Sequence, residues 1–200
     1  MYVTRHSSVN NPEVREKIWR LYELAFRRLT DEAVSRELLF RDEFDTMLNE
    51  PKNRLWVLWH DSQPVAATMI ATEIGATRYL SPEYFERNFP DHAMRGVVHY
   101  ILWVAVHPAH VAKGALVRLA RDTFSVEAEE GALLVFDTPE VNQPAETGSL
   151  AEMMGRLSAM VSRGVSVRQI EVHRYFAVDF AQGDRHLAQA LDELIERSRA

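Results

Sequence analysis

The sequence predicts an α/β domain, and two features near its middle carry that prediction. Residues 97–106 form an almost unbroken apolar run, which is typical of a strand that is covered on both faces. After a short segment with lysine and glycine, an amphipathic helix runs to Gly131, and a second apolar run follows at residues 132–138. Strand, helix and strand at this spacing predict a right-handed parallel crossover.

The crossover also predicts a position that favours an anion. It puts the connecting loop and the start of the helix at the carboxyl end of the first strand. The first N–H groups of a helix have no acceptor within the helix, so this position favours a phosphate group.

The chain before the crossover predicts a short strand, two helices and a hairpin. The short strand falls within residues 1–8, and the Asn-Pro pair at residues 11–12 marks the start of the first helix. A second helix is predicted over residues 31–49. Residues 54–59 and 65–72 are two apolar runs separated by a turn, as in a hairpin.

An inserted segment, residues 75–96, separates the predicted third and fourth strands. It predicts one short helix over residues 81–90, which Pro90 closes. A connection of this length is often functional. The alternatives are a wall or lid beside a binding site, surface decoration, or a contact between two copies of the chain.

The chain after the crossover predicts one further helix, which begins at Ser149 in a capping-box pattern and ends near residue 163. Residues 167–180 predict one or two strands, and Asp184 caps a terminal helix. The sequence contains no repeat, low-complexity segment or linker. We therefore predict a single domain over residues 1–200.

The composition excludes several classes of site. The chain has 200 residues, of which 46% are apolar and 26% are charged, and these are ordinary globular values. It has no cysteine, which excludes disulfides, thiolate metal sites and a cysteine acyl-enzyme. The net charge of −6 argues against a nucleic-acid partner. No apolar run suits a membrane span or a signal peptide, so we expect a cytoplasmic protein without a membrane partner.

Residues 104–114, with the sequence Val-Ala-Val-His-Pro-Ala-His-Val-Ala-Lys-Gly, resemble the acyl-CoA-binding motif of the GNAT superfamily of N-acyltransferases. In that family a strand ending in a Val-His-Pro-like sequence leads into Arg/Gln-x-x-Gly-x-Gly/Ala and a helix. Lys113 and Gly114 follow the common form. Val111 stands in the place of the arginine, and Leu116 in the place of the last small residue. The resemblance implies a GNAT-like central mixed, mostly antiparallel sheet, splayed at one parallel strand pair and flanked by helices.

The resemblance also implies the acyl donor. Acetyl-CoA or another acyl-CoA is the implied cosubstrate, with its pantetheine arm in the splay and its pyrophosphate on the loop amides. A backbone N–H of Trp103, Val104 or Ala105 polarises the acyl carbonyl. For Asp137, the alternatives are contact with the acceptor ammonium, contact with the pantetheine amides, or simply the start of a loop. The implied cofactor-binding residues are Val104, Ala105, Val106, Val111, Ala112, Lys113, Gly114, Ala115 and Asp137.

Transfer of an acyl group to an amine needs a group that takes the proton of the amine, and the sequence offers three candidates. His99 and Tyr100 lie on the fourth strand, and Glu73 ends the strand before it. The family's usual tyrosine acid is missing from the helix at residues 149–163, which leaves Tyr175 as the candidate acid. For each of these four residues, the alternative is a role in the core or on the solvated surface.

His107 and His110 have the H-x-x-H spacing of some metal ligands. A third ligand at a recognisable spacing is missing, so we predict no metal. The two histidines are expected to line the phosphate loop. Arg118 and Arg121 on the following helix are candidates to pair with the 3′-phosphate of CoA, and an exposed helix face is the alternative.

Three functions are compatible with these features. The first is transfer of an acyl group, in particular acetyl, from CoA to a small-molecule amine by direct attack in a ternary complex. The second is an N-acyl synthase that uses a long acyl chain or a carrier-protein donor. The third is a catalytically inactive binding module with the GNAT fold. A homodimer is compatible with each of them.

Overall fold

The computed structural model describes residues 1–35, 37–142, 149–177 and 197. Its sheet has five strands, which lie side by side in the order in which they occur along the chain. Neighbouring strands among the first four are antiparallel, whereas the fifth strand runs parallel to the fourth. This arrangement confirms the predicted mixed sheet. The strands are β1 (Tyr2–His6), β2 (Asn53–His60), β3 (Gln63–Ala71), β4 (Val98–Val106) and β5 (Leu133–Val135).

The described residues also form seven α-helices and three short 3₁₀ helices. None of the helices in the described ranges combines the length and the apolar character that a membrane span requires. The α-helices are α1 (Pro12–Phe26), α2 (Leu29–Glu32), α3 (Arg41–Asn49), α4 (Pro82–Asn88), α5 (Pro90–Arg95), α6 (Ala115–Glu130) and α7 (Leu150–Ala159). The 3₁₀ helices are Ile74–Ala76, Pro108–Lys113 and Glu140–Asn142.

The ends of three helices follow the sequence signals that predicted them. The Asn11 side chain accepts the N–H of Glu13 at 2.9 Å before α1, and the Ser149 hydroxyl accepts the N–H of Glu152 at 3.1 Å before α7. Gly131 ends α6 in the left-handed region, with φ of 62°. Asn11 and Ser149 accept backbone N–H groups at the start of a helix, and Gly131 adopts the left-handed conformation that ends one. Each effect involves only neighbouring residues, so the sequence alone is sufficient to predict it.

The predicted helix over residues 31–49 is wrong, because α2 ends at Glu32 and α3 begins only at Arg41. The hydroxyl of Tyr22 on α1 holds the stretch between them. It donates to the C=O of Glu37 at 3.0 Å and accepts the N–H of Leu39 at 3.1 Å. These tertiary hydrogen bonds use backbone groups that a continuous helix would need for itself.

The inserted segment, residues 75–96, contains two helices and not the single helix that we predicted. Pro90 begins α5 and does not close α4, since proline is well tolerated in the first turn of a helix. Phe85 and Phe89 are buried in a cluster that also contains Tyr100 of β4. The segment therefore packs against the sheet at the strand that carries the candidate site.

The predicted strands over residues 167–180 are absent from the part of this range that is described, residues 167–177. Residues 169–177 belong to a unit separate from Met1–Arg168, and all of them are exposed. Alternating charged and apolar residues favoured a strand here, but a strand also needs a hydrogen-bonded neighbour. The terminal helix predicted from Asp184 lies outside the described residues.

Apolar side chains are buried on both faces of the sheet. On one face, α1 and α3 pack around Tyr22, Phe44 and Trp103. On the other face, α6 and α7 pack around Ile101 and Phe124. Strand β4 contributes to both clusters, which explains the unbroken apolar run in its sequence.

A buried ion-pair network joins the amino-terminal part of β4 to α6. His99 is 2% exposed, and its Nδ1 lies 2.5 Å from a carboxylate oxygen of Glu127. Because a carboxylate can only accept, Nδ1 is the donor. Arg54 of β2 supplies a positive charge, with its Nη1 2.9 Å from Glu130 and 3.5 Å from Glu127. The network therefore links β2, β4 and α6 across the sheet.

Removing the charge of Glu127 should destabilise the fold. In the variant Glu127→Gln, Arg54 loses a buried counter-charge and His99 loses its carboxylate acceptor. We expect the free energy of unfolding to fall by about 3 kcal/mol, the lower end for broken buried ion pairs, because Arg54 keeps Glu130. Urea denaturation measures this change. The matched control is Glu129→Gln on the exposed side of α6, which should change stability by less than about 0.5 kcal/mol. Equal stabilities for the two variants would contradict the structural role of the network.

Candidate active site

The parallel pair of strands is hydrogen-bonded only where it begins. Val98–Tyr100 of β4 pair with Leu133–Val135 of β5, and the pairing stops there. From residue 101 to residue 106, the edge of β4 that faces away from β3 has no strand partner within the described ranges. This unpaired edge of β4, which we call the crevice, lies where the predicted splay requires an opening.

A β-bulge lies at the point where the pairing stops. Ile70 of β3 is opposite Ile101, whereas Met69 is opposite Trp103, so Leu102 is an extra residue on β4. Both Leu102 and Trp103 pack into the same core cluster as Met69. A bulge bends its strand and increases the local twist. The bend therefore occurs next to the last residue of β4 that is paired with β5.

The register of β4 identifies which backbone groups face the crevice. The N–H of His107 donates to the C=O of Val65 at 2.9 Å, so His107 faces β3. Alternate residues of an antiparallel strand face the same neighbour, and Ala105 and Trp103 therefore face β3 as well. The Thr68 hydroxyl, which donates to the Trp103 C=O at 2.9 Å, agrees with this register.

Val104 consequently directs its N–H and C=O to the open edge, and the same alternation applies to Val106. Of the three backbone amides that we considered for the acyl carbonyl, only that of Val104 points into the crevice. The sequence did not distinguish them, because the bulge that sets the register leaves no clear sequence signal.

The predicted phosphate loop is largely helical. Residues Pro108–Lys113 form a 3₁₀ helix, which includes Val111 and Ala112. The N–H of Gly114 is occupied, since it donates to the Val111 C=O at 3.3 Å. Gly114 has φ of 72°, a conformation that glycine adopts without strain, and α6 begins directly after it.

The free amides near this turn belong to the first turn of α6. The N–H of Arg118 donates to the Gly114 C=O at 3.1 Å, which is the first bond of the helix. The N–H groups of Ala115, Leu116 and Val117 come before it and have no acceptor within the helix. The position that favours an anion is therefore at residues 115–117, slightly later in the chain than the loop that we predicted over residues 111–115.

Two side chains near this position, Leu116 and Lys113, determine how much space and charge a phosphate would meet there. Leu116 is half-buried and packs against the cluster around Ile101, so its bulk is engaged in the core. Lys113 is exposed. Burial, and then the nearby charge of Lys113, lower the pKa of the His110 imidazole. The start of α6 carries positive charge from two sources, which are Lys113 and the helix dipole.

Tyr100 and Asp137 meet where the two parallel strands separate. The Tyr100 hydroxyl donates to Oδ1 of Asp137 at 2.5 Å, across 37 residues of sequence. Tyr100 is 5% exposed, whereas Asp137 is exposed. Burial, and then the charge of Asp137, raise the pKa of the Tyr100 phenol, which therefore stays protonated. The second carboxylate oxygen of Asp137 takes no part in this bond.

The other three candidate catalytic residues make different contacts. His99 lies in the buried network, with its Nε2 3.9 Å from Glu130. The carboxylate of Glu73 lies 2.6 Å from Lys52 Nζ in an exposed ion pair. Tyr175 is exposed and belongs to the separate unit. A catalytic role for each of them stays a prediction.

Two residues that the sequence did not single out lie near Tyr100. The ring of Tyr79, from the inserted segment, has its centroid 5.9 Å from that of Tyr100. The charge of Glu37, from the stretch between α2 and α3, contributes to raising the pKa of Tyr100. No sequence pattern connects these residues with β4. The tertiary structure brings an aromatic ring and a second carboxylate to this end of the crevice.

No protein-family model and no curated protein sequence matches this chain. Several solved structures match its fold. An aminoglycoside acetyltransferase from an uncultured soil metagenomic sample, in complex with sisomicin, has a TM-score of 0.53 and 14% identity, with 89% of this chain and 96% of that chain covered. The same enzyme in complex with trehalose has a TM-score of 0.52.

A GCN5-related N-acetyltransferase from Ralstonia eutropha has a TM-score of 0.53 and 20% identity, with 88% of this chain and 97% of that chain covered. The likeness therefore extends over most of both chains. The matched region includes the mixed sheet and the parallel crossover. On these grounds the chain has the fold of the GNAT superfamily of N-acyltransferases.

Proposed function

We propose that this protein is an N-acyltransferase that moves an acyl group, in the simplest case acetyl, from acyl-CoA to the amine of a small acceptor. The open edge of β4 beside Val104 carries this proposal, because it combines a crevice with an amide donor. The likeness in fold to an aminoglycoside acetyltransferase and a GCN5-related N-acetyltransferase supports the same class of reaction.

The groups along the crevice fit an acyl-CoA donor. Val104 and Val106 offer unpaired backbone groups on the edge of the sheet, and the amides of a pantetheine arm can pair with such groups. The N–H groups of Ala115, Leu116 and Val117 favour the diphosphate, as does the positive end of the α6 dipole. Backbone groups make all these contacts, so they tolerate the departures of the side chains from the family motif.

The chemistry needs no covalent intermediate on the protein. The acceptor nitrogen attacks the carbonyl carbon of the thioester, a C–N bond forms and the C–S bond breaks. Negative charge develops on the carbonyl oxygen during this attack, and the Val104 N–H stabilises it. The sulfur leaves as a thiolate and takes up a proton from solvent. A chain without cysteine is compatible with this direct transfer.

Asp137 is the side chain that we assign to the acceptor amine. Its carboxylate binds the ammonium group, which releases one proton to water and becomes the neutral amine that attacks. As the C–N bond forms and the nitrogen becomes more acidic, Asp137 takes the second proton. Because Asp137 is exposed, it can return this proton to water. Tyr100 donates to one of its oxygens and holds the carboxylate in orientation. Tyr100 is thus a positioning residue.

The surroundings of Asp137 favour a positively charged acceptor. Glu37 adds a second negative charge, and the rings of Tyr79 and Tyr100 offer faces that attract cations. The inserted segment, residues 75–96, contributes one wall through Tyr79. A small molecule with an amine is therefore the acceptor class that we propose.

A longer acyl chain is the second candidate, and half-buried apolar side chains beside the crevice favour it. These side chains pack against the cluster around Ile101 and keep part of their surface exposed. They are Val104, Leu116, Phe136, Leu150 and Met153. Comparing donors of increasing chain length distinguishes the two candidates, since a longer chain gains about 0.8 kcal/mol for each buried CH₂ group.

Binding of the donor can be measured without knowing the acceptor. At 100 times its dissociation constant, acetyl-CoA should add about 2.7 kcal/mol to the stability of the protein, which a thermal-shift experiment detects. The variant Val117→Asp should weaken CoA binding about tenfold, because a carboxylate in the first turn of α6 competes with the phosphates. The control is Val117→Asn, because asparagine has the shape of aspartate without its charge. This variant should bind CoA normally. Absence of stabilisation by every CoA thioester would refute the proposed function.

The role of Asp137 can be measured by steady-state kinetics with a panel of small amines. We expect Asp137→Asn to lower kcat/KM for the acceptor about 100-fold and to leave the Kd of acetyl-CoA unchanged. Tyr100→Phe should cause a smaller loss, since it removes only the bond that orients the carboxylate. Glu140→Gln, another exposed acid just after β5, is the control. Full activity in Asp137→Asn would rule out this assignment.

A further inference from the structure

We propose that the same crevice also accepts an acyl group carried on the phosphopantetheine arm of an acidic protein, which docks on a surface at the start of α6. We call this surface the basic face. This proposal rests on the proposed function, because it uses the same crevice and the same acceptor side chain. The basic face consists of Val111, Lys113, Val117, Arg118 and Arg121.

The basic face lies in a part of the sequence without acidic residues. No Asp or Glu occurs from residue 92 to residue 121, although the chain contains 29 of them and has a net charge of −6. Lys113, Arg118 and Arg121 are all exposed. Arg121 is bonded to Asp122 at 3.0 Å, whereas Lys113 and Arg118 form no ion pair with any described residue. These two cations are available to an acidic partner.

The side chains between these cations are apolar. Val111 is 61% exposed and Val117 is 46% exposed. Residues 117, 118 and 121 lie within one arc of α6, so one valine and two arginines share a helix face. Apolar side chains surrounded by charged ones are typical of protein–protein interfaces.

The free amides at the start of α6 can hold a phosphate group of either donor. Gly114 uses its N–H to bond Val111, which leaves the N–H groups of Ala115, Leu116 and Val117. A phosphopantetheine arm on a serine presents a single phosphodiester, which can occupy the position that the proposed function gives to the diphosphate of CoA. The carrier protein obtains its remaining affinity from the basic face.

The transfer is chemically the same with this donor. The acceptor nitrogen attacks the thioester carbonyl carbon, the C–N bond forms and the C–S bond breaks. The phosphopantetheine arm leaves as a thiolate and becomes a thiol by taking up a proton, which balances the one that the amine loses to Asp137. No other reactant is needed.

The test measures docking directly, with a fluorescently labelled acidic acyl-carrier protein that bears its phosphopantetheine arm. We expect the full-length chain to bind it, and the Kd to rise about tenfold between low and high salt, because opposite charges are screened. Lys113→Glu and Arg118→Glu should each raise the Kd at least tenfold. Arg87→Glu, an exposed arginine of α4, is the matched control and should leave the Kd unchanged.

Two further measurements keep the outcome decisive. Arg118→Gln removes the charge without reversing it, so the Kd should rise less than in Arg118→Glu. Circular dichroism checks that this variant is folded. An amine that the protein acetylates from acetyl-CoA should also receive acetyl from the acetylated carrier protein. Normal acetyl-CoA turnover without carrier binding, or binding unaffected by Lys113→Glu and Arg118→Glu, would overturn this inference alone. If the protein transfers acetyl neither from the carrier protein nor from acetyl-CoA, the proposed function is overturned as well.

Discussion

The candidate site depends on the early end of pairing between β4 and β5. Hydrogen bonding along this parallel pair covers only Val98–Tyr100, and the bulge at Leu102 bends β4 directly afterwards. Unpaired backbone groups at a sheet edge are normally costly or hazardous, and proteins cover or blunt such edges. Here the open edge coincides with the start of a helix that favours anions. A donor with amides and phosphates satisfies both features at once.

The buried ion pairs lie at the end of the crossover where the two strands are paired. His99, Glu127, Arg54 and Glu130 join β4, β2 and α6 near the amino-terminal end of β4. An uncompensated charge at this depth would be expensive, so each member holds the others in position. The same crossover is thus fixed at one end and open at the other. His99, one of the three candidate bases, belongs to the fixed end.

Charge is distributed differently on the two sides of the open end. In the function that we propose, the donor meets Lys113, Arg118 and the positive end of α6, and the acceptor meets Asp137 and Glu37. A negatively charged donor and a positively charged acceptor are then attracted to different sets of charges. This difference would favour a ternary complex over competition for one site.

The sequence by itself determined the local elements and their order: the cap at Asn11, the hairpin, the crossover and the stop at Gly131. These follow from hydrogen bonds and periodicities within a few residues. The tertiary structure alone decided the break between α2 and α3, the neighbour of His99 and the bond from Tyr100 to Asp137. Those contacts join residues 15, 28 and 37 positions apart, respectively, and their energies depend on distances that no sequence pattern encodes.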